Sequence, residues 1–129
     1  MSQQNLKGVI VPATTPFDAA GEIDFGAVSP QIDWLISNGV HGIAVGGSTG
    51  EGHTLAYDEY LELIDTAVEA VNGRVPLIAG IITDSTRDAI KRGQMVRQSG
   101  VAALQVTPVH YLFKPTDTAT IEHFRAVTE

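Results

Sequence analysis

The sequence predicts an α/β protein built from four consecutive β-α units. Short apolar runs rich in Val and Ile alternate four times with longer amphipathic stretches. The runs are apolar at consecutive positions, which is typical of parallel strands buried on both faces. Because β-α-β connections are right-handed, four such units form a curved parallel sheet with helices on one side, or one half of a closed eight-stranded barrel.

The predicted strands cover residues 8–11, 42–45, 75–79 and 103–106. The first helix carries its apolar stripe at Val28, Ile32, Leu35 and Ile36. It ends at Asn38-Gly39, and Pro30 is compatible with it only if the regular helix begins around that residue. The second helix has Asp58 and Glu59 in its first turn, where acidic side chains favour the helix dipole, and ends at Asn72-Gly73.

The third helix opens with a capping sequence at residues 85–88 and ends at Gly100. The fourth helix has Thr116 or Asp117 as its N-cap. Its apolar stripe comprises Ile121, Phe124 and Val127. No stop signal closes this helix, so we expect the sequence to end inside an element. An open sheet of four strands would leave two bare edges and one uncovered face, which predicts further chain or a partner there.

The composition excludes several classes of protein. The 129 residues suffice for one hydrophobic core but not for two domains, and a formal charge of -7 does not suit nucleic-acid binding. No apolar run reaches the roughly 20 residues of a membrane helix, and the first residues show no leader pattern, so we expect a cytoplasmic protein without a membrane partner. With no cysteine and four scattered histidines, we expect no metal site and no cofactor.

The loops that follow the strands carry the chemistry in such repeats, and the loop at residues 46–52 is the most informative. Its four glycines allow positive φ angles and close approach of the backbone, while Ser48 and Thr49 offer hydroxyls and successive N–H groups ahead of a helix. This pattern predicts binding of a small carboxylate, and the absence of Gly-Lys-Ser/Thr argues against a nucleotide. A glycine-rich loop that only turns a strand into a helix has the same composition, and that interpretation stays open.

Other loop residues are weaker candidates. Tyr111, after the fourth strand, is a candidate proton carrier beside Ser48, because a desolvated phenol near a hydroxyl and an anion relays protons. A half-buried aromatic with a satisfied hydroxyl is the alternative. His110 and His53 are more typical of surface residues, and Glu51 is interpreted as a carboxylate that stabilises a helix N-terminus.

Four segments of the chain occur in a recognisable order. They are GVIVPATTPFD at residues 8–18, GGSTGE at 46–51, RVPLIAG at 74–80, and Thr-Pro followed by Tyr and Lys-Pro at 107–115. Together they resemble the dihydrodipicolinate synthase and N-acetylneuraminate lyase family over the whole chain. The resemblance implies the first four β-α units of a (β/α)8 TIM barrel. It also implies a homodimeric or homotetrameric class I aldolase or lyase, which joins or cleaves pyruvate, or another 2-oxo acid, and an aldehyde through a Schiff base on a lysine.

The resemblance also implies roles for individual residues. Ser48 and Thr49 match the pair that holds the pyruvate carboxylate, and Ser48 matches a member of a hydroxyl relay. Tyr111 is the best match to a tyrosine that reaches a neighbouring active site. Two departures concern substrate choice: the segment at 107–115 is about two residues longer than the synthase pattern, and Ser48 stands where synthases usually have threonine.

The Schiff-base lysine and the second relay tyrosine lie beyond residue 129. Lys7, Lys91 and Lys114 match neither position. We therefore expect residues 1–129 to be the N-terminal half of one barrel domain, inactive alone. A non-catalytic half barrel that self-associates is the alternative. A small regulatory doubly wound domain fits less well, because such domains place an acidic pair after the first strand, where this chain has Pro12 and Thr14.

Overall fold

The computed structural model describes residues 6–109 and 114–129. Its elements are β1 (Ile10–Pro12), α1 (Phe25–Ser37), β2 (Gly42–Val45), α2 (Tyr57–Val71), β3 (Leu77–Ile81), α3 (Thr86–Met95), β4 (Ala103–Val106) and α4 (Asp117–Thr128). The strands pair in parallel in the order β1-β2-β3-β4. The predicted succession of β-α units is confirmed. β2 and β4 have the predicted bounds, whereas β1 and β3 begin two residues later than predicted.

The helices cover one face of the sheet, and the hydrophobic core lies between them. Side chains alternate between the two faces of a strand, so every second residue of the central strands enters this core. From the sheet it contains Ile43, Val45, Leu77 and Ala79, and from α1 and α2 it contains Val28, Ile32, Tyr60, Ile64 and Ala67. The apolar stripes predicted for the first two helices therefore face the sheet.

The opposite face of the sheet is only partly covered. Pro12, Ala44, Ile78 and Ala103 lie beside one another across the four strands of this face. The two residues on the central strands are buried, whereas those on the outer strands are not. Burial on both faces, predicted for all strands, is thus confirmed for β2 and β3 and wrong for β1 and β4. Among the described residues, each outer strand has a neighbour on one side alone.

Pro30 lies inside α1, so the prediction that the helix begins around this residue is wrong. α1 begins at Phe25, and the carboxylate of Asp24 caps it by accepting the N–H of Ala27 at 3.2 Å. Proline removes the hydrogen bond to the carbonyl four residues earlier, which belongs to Gly26. Both Pro30 and Gly26 are exposed, so water can satisfy that carbonyl and the interruption is tolerated on the solvent side.

The remaining helix signals are mostly confirmed. α2 ends at Asn72, which adopts a left-handed conformation with φ of 46°. The hydroxyl of Ser85 caps α3 by accepting the N–H of Asp88, and the helix proper stops at Met95, with turns leading to Gly100. At α4 the cap is the hydroxyl of Thr116, which accepts from Ala119 at 3.2 Å.

Two of the three residues in the apolar stripe predicted for α4 are exposed, whereas the third, Val127, is half-buried. Ile121 is 57% exposed and Phe124 is 37% exposed, whereas His123 is the buried residue of this helix. The ring of His123 is hydrogen-bonded to Thr86 and Thr107, and Ile121 and Phe124 are exposed to solvent. No helix within the described ranges is both long enough and apolar enough to cross a bilayer.

Candidate functional site

The carboxyl ends of the four parallel strands meet at one edge of the sheet. The loops that follow β2, β3 and β4 border an open cleft at this edge. The residues lining the cleft are Ser48, His53, Ile82, Thr83, Asp84, Ser85, Asp88, Arg92 and Thr107. Ser48 therefore lies where the sequence predicts the chemistry of a β-α repeat. His53 borders the same cleft and is exposed, in agreement with its interpretation as a surface residue.

Glycine is needed in the loop after β2 mainly because the backbone packs closely there, and only at one position because φ is positive. Gly46 alone among the four has a positive φ, at 68°. A Cβ on Gly52 would lie 1.8 Å from the carbonyl oxygen of Gly46, and a Cβ on Gly80 of β3 would lie 2.4 Å from the Cα of Gly47. The backbone of the loop thus packs on itself and on β3 at distances that only glycine permits.

The prediction that the carboxylate of Glu51 stabilises a helix N-terminus is wrong. It lies in a turn with φ of 54°, its side chain is exposed, and α2 begins six residues later at Tyr57. The carboxylate of Glu59 caps the N-terminus of α2 instead, because it accepts a hydrogen bond from the N–H of Ala56 at 2.8 Å. The dipole of α2 consequently does not act at Ser48 and Thr49, because helix-dipole effects fall off within the first turn.

Hydrogen bonds among the described residues close the turn but do not use all of its N–H donors. The N–H of Glu51 donates to the carbonyl of Ser48 at 3.1 Å, and the N–H of Gly52 donates to the carbonyl of Gly47 at 3.0 Å. Within the described ranges, the N–H groups of Ser48 and Thr49 have no acceptor, and both residues are exposed. Two consecutive unpaired amides beside two hydroxyls can bind an oxyanion.

A second strand-following loop supports this turn. Thr15, in the loop after β1, is 7% exposed, and its hydroxyl donates to the carbonyl of Gly50 at 2.6 Å. A Cβ on Gly50 would lie 3.0 Å from the carbonyl oxygen of Ala13, so the two loops are in close backbone contact. The sequence shows the Thr14-Thr15 pair, but no local pattern identifies Thr15 as the residue that joins the loops.

Arg92 of α3 supports the far side of the turn. Its guanidinium donates to the carbonyl of Gly52 at 3.3 Å and to that of Leu55 at 2.7 Å, and the residue is only 6% exposed. The sequence pattern assigns no role to Arg92, and the contact with this loop is seen only in the structure. The spacing of Ala89, Arg92 and Val96, all buried, is the helical signal that could have revealed its orientation.

Two tyrosines and an aspartate surround Arg92. The centre of the guanidinium lies 4.9 Å from the ring centroid of Tyr60 and 5.4 Å from that of Tyr57. Burial raises the pKa of Tyr60 to about 12, although the nearby Arg92 opposes this shift. The hydrogen bond to Asp88 raises the pKa of Tyr57. Burial pushes the pKa of Asp88 upward, but hydrogen bonds from Tyr57 and Thr83, together with Arg92, hold it below its ordinary value.

The remaining candidates fall outside this arrangement. Tyr111 and His110 lie outside the described residues. Lys91 is exposed and its ammonium lies 3.4 Å from the centroid of the Tyr57 ring. That Lys91 is not the Schiff-base nucleophile stays a prediction. Lys7 and Lys114 are exposed as well.

Known proteins share this arrangement of four β-α units. A sequence model of the dihydrodipicolinate synthetase family matches residues 5–129. The 4-hydroxy-tetrahydrodipicolinate synthase of Bacillus subtilis (strain 168) is 40% identical over 124 residues, which are 95% of this chain and 42% of that protein. The synthase of Thiobacillus denitrificans is 42% identical, again over 95% of this chain and 41% of the relative.

Solved structures agree with these relatives. The chloride-inhibited dihydrodipicolinate synthase of Acinetobacter baumannii, complexed with pyruvate, matches 96% of this chain and 42% of its own with a TM-score of 0.91 and 31% identity. The N-acetylneuraminate lyase of Proteus mirabilis matches 97% of this chain and 42% of its own, with a TM-score of 0.90 and 25% identity. The chain thus spans about two fifths of the length of these proteins, and its fold is that of the first four β-α units of a TIM barrel.

Proposed function

This chain belongs to the dihydrodipicolinate synthetase family, and we propose that it forms the 2-oxo acid-binding part of a (β/α)8 aldolase or lyase. In this proposal the enzyme binds pyruvate or a related 2-oxo acid and makes or breaks a carbon–carbon bond to an aldehyde. The observation that carries the proposal is that the amides of Ser48 and Thr49, exposed at the carboxyl end of the sheet, have no acceptor among residues 6–109 and 114–129. The relative from Acinetobacter baumannii was crystallised with pyruvate, which supports this class of substrate.

The proposed roles follow from the chemistry of each group. The amides and hydroxyls of Ser48 and Thr49 bind the carboxylate, because donors fixed by the turn need no rearrangement when the anion arrives. The hydroxyl of Ser48 and the phenol of Tyr111 carry protons between the solvent and the reacting carbon. The 2-oxo carbon forms an imine with a lysine amine and releases water, and the cationic imine then stabilises the carbanion formed or released at the neighbouring carbon.

The lysine is proposed to lie on a part of the barrel that these 129 residues do not contain. Lys7, Lys91 and Lys114 are exposed, whereas a lysine nucleophile is typically desolvated in a pocket. The assembled enzyme is proposed to be a cytoplasmic homodimer or homotetramer. In this proposal residues 1–129 bind the 2-oxo acid but do not form the imine.

Binding of the carboxylate is tested by titrating the ¹⁵N-labelled chain with pyruvate and following amide chemical shifts. The signals of Ser48 and Thr49 are expected to shift and saturate, whereas methyl pyruvate, which lacks the negative charge, is expected to leave them in place. Equal responses to the two compounds, or shifts confined to other residues, would contradict the proposal. Ser48→Ala should weaken pyruvate binding, and Thr54→Ala, a change at an exposed hydroxyl in the same loop, serves as the matched control.

The imine is tested by borohydride reduction in the presence of pyruvate, followed by peptide mass spectrometry. The longer protein is expected to carry one reduced adduct on a lysine outside residues 1–129. The 129-residue chain is expected to carry none. An adduct on Lys91 or Lys114 would show that the nucleophile has been misassigned.

A non-catalytic half barrel that self-associates is a second candidate. The partly exposed apolar face of the sheet favours it, since an open hollow there is lined by Ile10, Pro12, Ala44 and Ile78. A second copy could cover this face in place of the remaining strands of a barrel. Analytical ultracentrifugation of the 129-residue chain separates the candidates: a stable dimer supports self-association, and a folded monomer excludes it.

A further inference from the structure

The guanidinium of Arg92 is buried although nothing in the proposed chemistry uses it. Arg92 lies in the last turn of α3 and is 6% exposed. Arginine is rarely buried to this extent unless its donors are paired, because removal of a charge from water is costly. Its contacts therefore indicate what the buried charge does.

The two hydrogen bonds that the guanidinium of Arg92 donates to backbone carbonyls go to one loop. Nη1 donates to the carbonyl of Gly52 and Nη2 to that of Leu55, across 40 and 37 residues of sequence. Both carbonyls belong to residues 46–56, the segment between β2 and α2 that contains the candidate carboxylate-binding residues. Gly52 is in turn bonded to Gly47 on the other side of Ser48 and Thr49. A displacement of Gly52 would consequently move the turn that exposes the two amides.

Arginine makes contacts at this position that lysine and methionine, which are similarly long, cannot make. The planar guanidinium reaches two carbonyls at once and lies against the rings of Tyr57 and Tyr60. A carboxylate oxygen of Asp88, one turn earlier on α3, lies 3.6 Å from Nε and offsets part of the charge. Lysine could donate to one of the carbonyls but lacks the fork, and methionine could fill the space without donating at all.

We propose that Arg92 is a positioning residue for the 2-oxo acid site: it fixes Gly52 and Leu55 and thereby holds the amides of Ser48 and Thr49 toward the ligand. The inference rests on the proposed function of those two amides. Arg92 itself does not touch the ligand. It acts through the backbone of the loop, from a helix whose sequence gives no indication of a contact with that loop.

The test compares Arg92→Met and Arg92→Lys with Arg97→Met, which removes the same charge from an exposed position just after α3. Hydrogen exchange is measured at the amides of Glu51, Gly52 and Thr54, which are hydrogen-bonded within the loop. Pyruvate affinity is measured from the shifts of Ser48 and Thr49. Unfolding in urea reports whether each variant is folded.

Arg92→Met is expected to exchange about tenfold faster at the three loop amides and to bind pyruvate about tenfold more weakly, a factor that corresponds to about 1.4 kcal/mol. Exchange in the strands should stay unchanged. Arg92→Lys should fall between wild type and Arg92→Met, and Arg97→Met should behave as wild type. A folded Arg92→Met with wild-type loop exchange, or with wild-type affinity for pyruvate, overturns the proposal. Should Arg92→Met fail to fold, unchanged exchange and affinity in Arg92→Lys overturn it.

The two proposals fail in different ways. If pyruvate shifts neither Ser48 nor Thr49 in the wild-type chain, the proposed function fails, and with it the role of Arg92 in ligand binding. Exchange at Glu51, Gly52 and Thr54 needs no ligand, so it still decides whether Arg92 holds the loop.

Discussion

Nε2 of His123, on α4, donates a hydrogen bond of 3.1 Å to the carbonyl of Thr107, the first residue after β4. A carbonyl only accepts, so Nε2 carries the proton in the neutral ring, and Nδ1 accepts from the hydroxyl of Thr86 at 2.9 Å. The imidazole is 5% exposed and satisfied at both nitrogens. It joins the end of β4 to the start of α3.

His123→Leu is expected to destabilise the fold by about 1 to 3 kcal/mol, because a carbonyl and a hydroxyl lose their partner in a buried place. The free energy of unfolding in urea measures this. His53→Leu, at an exposed histidine, is the control and should change stability by less than about 0.5 kcal/mol. Equal stability of the two variants would show that the bonds of His123 contribute nothing.

Gly52→Ala is expected to cost about 3 kcal/mol or more, because the new Cβ would lie 1.8 Å from the carbonyl oxygen of Gly46 and the loop must move. Gly47→Ala in the same loop meets only the side-chain oxygen of Gln105, at 3.7 Å, and should cost less than about 1 kcal/mol. Thermal unfolding compares the two. Similar melting temperatures would contradict the close packing of this turn.

Tyr60→Phe is expected to be neutral or stabilising by about 1 kcal/mol at neutral pH, because the buried hydroxyl of Tyr60 has no partner among the described residues. The larger effect is expected in alkali. Since the folded-state pKa of about 12 exceeds the ordinary value of 10.0, ionisation is easier in the unfolded chain. The ionisation of Tyr60 therefore leaves the free energy of unfolding unchanged below pH 10 and lowers it as the pH rises toward 12.

Unfolding free energies measured between about pH 9 and 12 test this prediction. Wild type should lose stability more steeply than Tyr60→Phe, by on the order of 2 kcal/mol at the upper end. Parallel curves for the two proteins would mean that Tyr60 ionises as readily in the folded state as in the unfolded chain.

Asp88→Asn is expected to remove part of the acid sensitivity of the fold. The pKa of Asp88 is held below its ordinary value of 3.8, so the stabilisation from the carboxylate is full above that pH and is lost as the pH falls through the lowered pKa. Urea unfolding between about pH 2 and 6 should show a shallower loss for Asp88→Asn than for wild type. Asp65→Asn, at an exposed position of α2, is the control that should keep the wild-type slope.

Local sequence signals predicted most of the fold. The order of strands and helices, the parallel pairing, the cap at Ser85 and the end of α2 at Asn72-Gly73 each follow from residues within a turn or two of the position concerned. The position of Ser48 and Thr49 at the carboxyl end of the sheet also followed, because it requires only the assignment of β2 as a strand. Glu51 was misassigned although the first turn of α2 was predicted correctly at Asp58 and Glu59, because turn residues separate Glu51 from the start of the helix at Tyr57.

The sequence by itself determined the β-α repeat and identified the loop at residues 46–52 as the one whose amides can bind a ligand. It could do so because the hydrophobic periodicity, the helix caps and the glycines that end the helices are each set by a few neighbouring residues. Only the tertiary structure decided what surrounds that loop. Arg92 and His123 are charged or titratable residues on helices, and the sequence favours solvent for both. Each is buried with hydrogen-bond partners that lie 16 to 40 residues away in the sequence, on other segments of the chain. Such partners become neighbours only when the helices pack on the sheet, so no local pattern could identify them.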